Sequence, residues 1–236
     1  MLGWAFDVLL ANIVPLTVLA ALLAGAPAFL VEYWRLAGTA VLPPGGLPFT
    51  IGSFVIQLAL AAMLQVTGLR LVIRQIDGGP RELGADIAAG FALFVPVTIL
   101  MMMVAIAVAI GLIVLIVPGL IFYVMYSVAV PAYVEERPGL FGAMRRSQEL
   151  TERVRWRLFV LLFLYWAFAI GLLLLGDQAG IELAGELGSP ALAMGLVFAV
   201  HDTIASVTFV PLIAAIYVAL RNREGGQADH MAEVFA

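Results

Sequence analysis

The chain has 236 residues, of which 64% are hydrophobic and 12% charged, and its mean hydropathy is +1.09. A soluble domain is near half apolar and a quarter charged, so this composition excludes a water-soluble fold and leaves room for roughly five to seven spanning helices with short loops. The 12 basic residues are all arginine, scattered beside apolar runs rather than gathered in a patch, which argues against nucleic acid as a partner; the lack of cysteine excludes disulfides and thiolate chemistry.

In chain order, the first span is predicted at 12–31, closed by Glu32, Trp34 and Arg35 at an interface, with residues 1–10 along the surface. No basic residue precedes it, and it leads straight into a membrane-length run, so it does not read as a cleaved signal. A turn-rich stretch at 38–48, with Pro43-Pro44-Gly45-Gly46, separates it from a second span at 49–69 that ends at Arg70 and Arg74. From 87 to 134 no formal charge occurs, and Gly111 and Pro118-Gly119 sit near the middle, which predicts spans at 90–111 and 114–134 joined by a tight apolar turn. The remaining spans are expected at 158–175 and 195–220. The expected fold is one all-α integral membrane domain of about six transmembrane helices, with amphipathic surface helices.

The arginines are lopsided against these spans. Arg70, Arg74 and Arg81 fall between the second and third, Arg137 to Arg157 between the fourth and fifth, and Arg221 and Arg223 after the sixth. Only Arg35 lies on the other side, where the loop between the fifth and sixth spans carries Asp177, Glu182 and Glu186. The positive-inside rule then puts both termini on the cytoplasmic side.

Residues 139–157 are too polar to span, yet Leu140, Met144, Ser147, Leu150 or Thr151, and Val154 recur at helical spacing. A surface helix over about 139–155 is predicted, its apolar stripe among acyl chains and Glu149 paired with Arg153. Arg137, Arg145, Arg146, Arg153, Arg155 and Arg157 are its candidate contacts to anionic headgroups or to a partner, each worth ~1 kcal/mol. The plainer reading is a connecting helix whose charges only set topology. A second copy of the pattern is suggested by Asp77, Pro80, Leu83, Gly84 and Ala85, which match Glu135, Pro138, Phe141, Gly142 and Ala143 at a constant offset; Glu224-Gly225-Gly226 repeats Asp77-Gly78-Gly79 more faintly.

Ile116-Val117-Pro118-Gly119-Leu120, Ala129-Val130-Pro131, Glu135-Glu136-Arg137-Pro138-Gly139 and Ala143-Met144-Arg145-Arg146-Ser147-Gln148-Glu149-Leu150-Thr151 together carry a family pattern. Over 111–159 the chain resembles the membrane domain found beside some bacterial glycerophosphodiester phosphodiesterases and the related stand-alone YciC-like inner-membrane proteins. The resemblance implies a six-helix fold in the bacterial inner membrane, with the Arg-Arg-Ser segment on a cytoplasmic surface helix. It does not carry over phosphodiesterase chemistry, whose catalytic barrel this sequence lacks.

Ionisable residues within spans are functional candidates, which singles out His201 and Asp202 in the sixth, with Ser206 on the same helix face as Asp202. Counting inward from Arg221, Asp202 lies ~28 Å along the helix, which reaches the outer interface. The sharper reading puts His201, Asp202, Thr203, Ser206 and Thr208 in a polar cavity. A hydrolytic triad is disfavoured because neighbouring side chains on a helix point ~100° apart. Arg70 reads as snorkelling, or as one end of a seam with Gln57, Gln65 and Thr67. Met101-Met102-Met103 reads as packing, Pro96, Pro131 and Pro211 as kinks, and His230 has no second ligand nearby.

No catalytic residue, cofactor or metal site is therefore expected. The expected function is a non-enzymatic inner-membrane protein that organises lipid or a membrane assembly, with anionic lipids and other copies of itself as partners. The alternative is a small transporter or channel for a lipid or hydrophobic solute.

Overall fold

The computed structural model describes residues 13–37 and 46–235, with residues 47 and 225–235 by backbone alone. The surface stretch predicted at 1–10 and the Pro43-Pro44-Gly45 turn lie outside the described residues. Every regular element among those described is helical, and six stretches are long and apolar enough to cross a membrane. The chain is an all-α, multi-pass membrane protein.

The helices are α1 (Ile13–Ala37), α2 (Leu47–Ile76), α3 (Leu83–Val114), α4 (Ile116–Met125), α5 (Ala129–Glu136), α6 (Leu140–Thr151), α7 (Arg155–Leu187) and α8 (Pro190–Phe235). α1 contains a π-helical turn at Ala21–Gly25. α8 is the hub and packs against α1, α2 and α7. Around Tyr217, the largest fully buried side chain, Leu69, Ile73, Val128 and Leu162 close the main core. The outward faces carry Val14, Ile106, Phe163 and Leu175, large exposed side chains suited to acyl chains.

Local sequence explains the element ends. α2 begins with Pro48 in its first turn, where the missing N–H has no partner to lose, and is stopped by Gly78 at φ 77° with Pro80 beyond. The α3–α4 turn passes through a single extended residue, Leu115, and the two backbones cross at Gly111 and Gly119. A Cβ on Gly111 would lie 2.8 Å from Gly119 Cα, so only glycine allows that approach.

The fourth membrane stretch, Ile116–Glu136, is interrupted at Tyr126–Val128. The proline at 131 lacks an N–H and its ring collides with the carbonyl four residues back, at Ser127. A broken helix in a membrane must have its freed carbonyls satisfied. Here Ser147 Oγ donates to the Met125 carbonyl at 2.8 Å, Thr151 Oγ1 reaches it at 3.4 Å, and Ser127 Oγ donates to Val124 O at 2.8 Å.

α6 is therefore a brace packed on protein. Its inner stripe, Ala143, Ser147, Leu150 and Thr151, is buried within the molecule rather than laid among acyl chains, which corrects the sequence reading. The helix also stops at Thr151, so Glu149 pairs backward with Arg145 at 3.5 Å instead of forward with Arg153.

Two further expectations change. Asp177, Glu182 and Glu186 are not in a loop: α7 continues past its apolar run to Leu187, and only Gly188 (φ 62°) and Ser189 join it to α8. The third repeat copy is absent as an elbow, since α8 runs through Gly225 and Gly226. Glycine lowers helix stability by only ~1 kcal/mol, and no proline follows as Pro80 follows Gly79. The first two copies both form helix–elbow–helix units, but with different backbones: Gly78 takes positive φ in one, Arg137 and Gly139 in the other.

Candidate functional site

The arginine-rich end of the bundle is held by three ion-pair clusters. The first joins α2 to α3: Asp86, 0% exposed, faces Arg74 Nη2 at 3.1 Å and Arg70 Nε at 3.5 Å, and Arg74 Nη1 donates to Glu82 Oε2 at 2.6 Å. Neither Asp86 oxygen has a well-aligned hydrogen bond, nor do Arg70 Nε and the buried Thr67 hydroxyl, so the attraction there is ionic. The antiparallel hairpin explains the pairing: Arg70 and Arg74 are one turn apart on α2, as are Glu82 and Asp86 across the elbow, and the two turns face each other.

The second cluster centres on Arg146 of α6. Its Nε donates to Glu136 at 2.8 Å, its Nη2 to Glu224 at 2.6 Å, and the Tyr217 hydroxyl donates to Glu136 at 2.9 Å. Hydrogen bonding to Glu224, with Glu136 assisting against the cost of burial, raises the Arg146 guanidinium further above its ordinary value. Arg146 thus ties α5, α6 and α8 together and is not a free headgroup contact. The third cluster is a single pair, Arg221 with Asp77 at 2.6 Å, which clamps α8 to the first elbow.

Four other arginines of the 137–157 segment, Arg137, Arg145, Arg153 and Arg157, are exposed, while Arg155 is half-buried with its Nε enclosed. Arg145 is 80% exposed despite its contact with Glu149, so that pair contributes little. Phe141, one turn before Arg145, is 77% exposed, and Trp156, between Arg155 and Arg157, is 75% exposed. Aromatics bare beside cations are the composition of a membrane–water boundary.

The second predicted site lies toward the other end of the bundle. His201 Nδ1 is 3.0 Å from Asp202 Oδ1, and His201 Nε2 is 3.1 Å from the Ala169 carbonyl. Neighbours along the helix do meet here because the ring folds back onto the carboxylate. The Ala169 carbonyl only accepts, so that contact is a hydrogen bond when Nε2 carries the ring hydrogen, and the contact with Asp202 is one when Nδ1 carries it.

Its height follows from α7. Residues 158–176 of α7 carry no charge, and Ala169 lies ~18 Å along the helix from Arg157 and ~12 Å from Asp177. This puts His201 and Asp202 inside the charge-free band, deeper than counting along α8 alone indicates. Asp202 and Ser206 open into a cavity of about 330 Å³ lined also by Gln57, Leu23 and Phe54. Thr203 and Thr208 do not join them: each donates to a carbonyl one turn back, Ala199 and Ile204.

The π-helical turn of α1 lies against this region. A Cβ on Gly25 would collide with Thr203 Oγ1 and come within 2.8 Å of the Ala199 carbonyl. A larger groove of about 520 Å³ between α2, α7 and α8 is apolar apart from Tyr165 and Thr208, whose hydroxyls are already donated to backbone carbonyls.

Asp86 was missed by sequence reasoning, although the two opposed turns of like charge around the first elbow were a usable signal. Among the described residues no three of His, Asp and Glu converge as metal ligands. No family model matches the chain, and no solved structure matches it.

Proposed function

We propose that this is a non-enzymatic, multi-pass protein of the bacterial inner membrane, with both termini and its arginine-rich end on the cytoplasmic side, that organises anionic lipid in the cytoplasmic leaflet. The observation that carries the reading is the division of labour among arginines. Arg70, Arg74, Arg146 and Arg221 are used in internal ion pairs, while Arg137, Arg145, Arg153 and Arg157 remain exposed beside Phe141 and Trp156. Exposed cations next to interfacial aromatics match phosphate headgroups and the acyl boundary beneath them. The orientation rests on the positive-inside rule, and the bacterial inner membrane on the sequence resemblance given above.

The test uses the full-length protein released from micelles holding equal phosphatidylglycerol and phosphatidylcholine, with retained lipids counted by native mass spectrometry. Wild type retains phosphatidylglycerol preferentially, and added salt weakens that preference. Replacing Arg137, Arg145, Arg153 and Arg157 by Gln lowers it by about fivefold per arginine if each contributes ~1 kcal/mol. Equal retention of the two lipids, or an unchanged preference in the fourfold variant, would contradict the proposal.

A second reading, a transporter or channel for a lipid or hydrophobic solute, is supported by one observation: the cavity that Asp202 and Ser206 share with Gln57 inside the charge-free band.

A further inference from the structure

A second space lies beside the cavity at Asp202. A groove of about 470 Å³ between α1 and α2 shares Pro27 and Gln57 with it and runs to Trp34 and Pro48 at the end of the bundle where Arg35, paired with Glu32, stands. Both volumes are in the ~300–1,000 Å³ range of small-molecule sites. The groove is apolar, with Gly52 leaving space on α2: a Cβ there would meet nothing within 4 Å.

The floor has a definite chemistry. Asp202 is 36% exposed by side chain, and its contact with His201 uses only Oδ1. Gln57 and Ser206 line the same cavity and have no hydrogen-bond partner among the described residues. No arginine borders either space, so an anionic ligand finds no counter-charge there. The floor presents one carboxylate, with a hydroxyl and a side-chain amide beside it whose oxygens can accept from a donor.

We propose that this groove and floor form a binding site for a lipophilic amine, its apolar body along α1 and α2 and its nitrogen at Asp202. The nitrogen binds as the ammonium, which donates to the Asp202 carboxylate, with Ser206 Oγ and Gln57 Oε1 as further acceptors. The site deepens the transporter reading by naming a ligand class, but equilibrium binding is measured without transport, so the two fail separately.

The probe is dodecylamine carrying a diazirine in its alkyl chain, crosslinked to the full-length protein in phosphatidylcholine nanodiscs and mapped by peptide mass. Labelling is expected on α1 and α2 around Pro27 and Ser53, competed by excess dodecylamine and not by dodecanol. Asp202→Asn is expected to cut labelling at least tenfold. Gly52→Trp, whose Cβ has open space and whose ring extends into the groove, is expected to do the same, while Gly185→Trp on remote α7 leaves it unchanged. Melting temperatures of all variants separate lost binding from lost fold. Equal competition by dodecanol, labelling elsewhere on the chain, or full labelling in folded Asp202→Asn or Gly52→Trp protein overturns the proposal.

Discussion

Replacing Asp86 by Asn removes a charge that the fold encloses completely, and its cost can be worked from the geometry. The carboxylate lies 3.1 Å from Arg74 and 3.5 Å from Arg70, which at an effective dielectric near 20 gives about 5 kcal/mol of attraction to each. Most of that is offset by the desolvation the carboxylate no longer undergoes, and breaking a buried pair typically costs about 3–5 kcal/mol. The two guanidinium side chains stay 27% and 22% exposed, so water recovers part of their solvation, leaving an expected loss of about 2–3 kcal/mol. For a chain of this size that is a fall of about 4–12 °C in melting temperature, read by thermal scan in a fixed detergent at one scan rate. A double-mutant cycle with Arg74→Gln should return at least about 1 kcal/mol of coupling. A melting temperature within about 1 °C of wild type, or strictly additive losses, would refute the claim that this pair holds α2 to α3.

Three other outcomes follow from the same structure. Ser147→Ala leaves the Met125 carbonyl with only the 3.4 Å approach of Thr151, and a loss of about 1–2 kcal/mol is expected in the same melt; no loss would mean that the helix break does not depend on α6. Gly25→Ala drives a methyl into Thr203 and the Ala199 carbonyl and should lower the melting temperature, whereas Gly171→Ala, in open space, should be neutral or stabilise the fold by up to about 1 kcal/mol of helix propensity. Arg146→Gln frees Glu136 and Glu224 together, so hydrogen exchange should quicken at both 140–151 and 221–224; acceleration in only one segment would show that Arg146 does not bridge them.

What the sequence made legible was governed by which forces act locally. Hydropathy alone exposes the apolar runs, because burial in hydrocarbon is nearly independent of neighbours. The interruption at Tyr126–Val128 was foreshadowed by Pro131 only as a kink, since a full break depends on Ser147 and Thr151, two residues on another helix. The stripe on α6 was visible as a period, but a period does not say whether protein or acyl chain covers it; Ser147 and Thr151 within the stripe were the sign that a polar backbone group lay opposite. α7 was cut short because charge was taken as the end of a helix, although Asp177, Glu182 and Glu186 sit comfortably on an exposed one. At the Asp202 site the residue types were evident, but its depth came only from the contact between His201 and Ala169.

The central claim is that the bundle crosses the membrane with its arginine-rich end on the cytoplasmic side, where the exposed cations meet anionic lipid. The chain contains no cysteine, so single thiols can be introduced without background. Arg145→Cys and Gly185→Cys, both at exposed positions on opposite ends of the bundle, are treated with a membrane-impermeant maleimide in sealed bacterial inner-membrane vesicles of each orientation. The account predicts labelling of Arg145→Cys only in inside-out vesicles and of Gly185→Cys only in right-side-out vesicles. The reverse pattern, or labelling of both thiols from the same side, would contradict it.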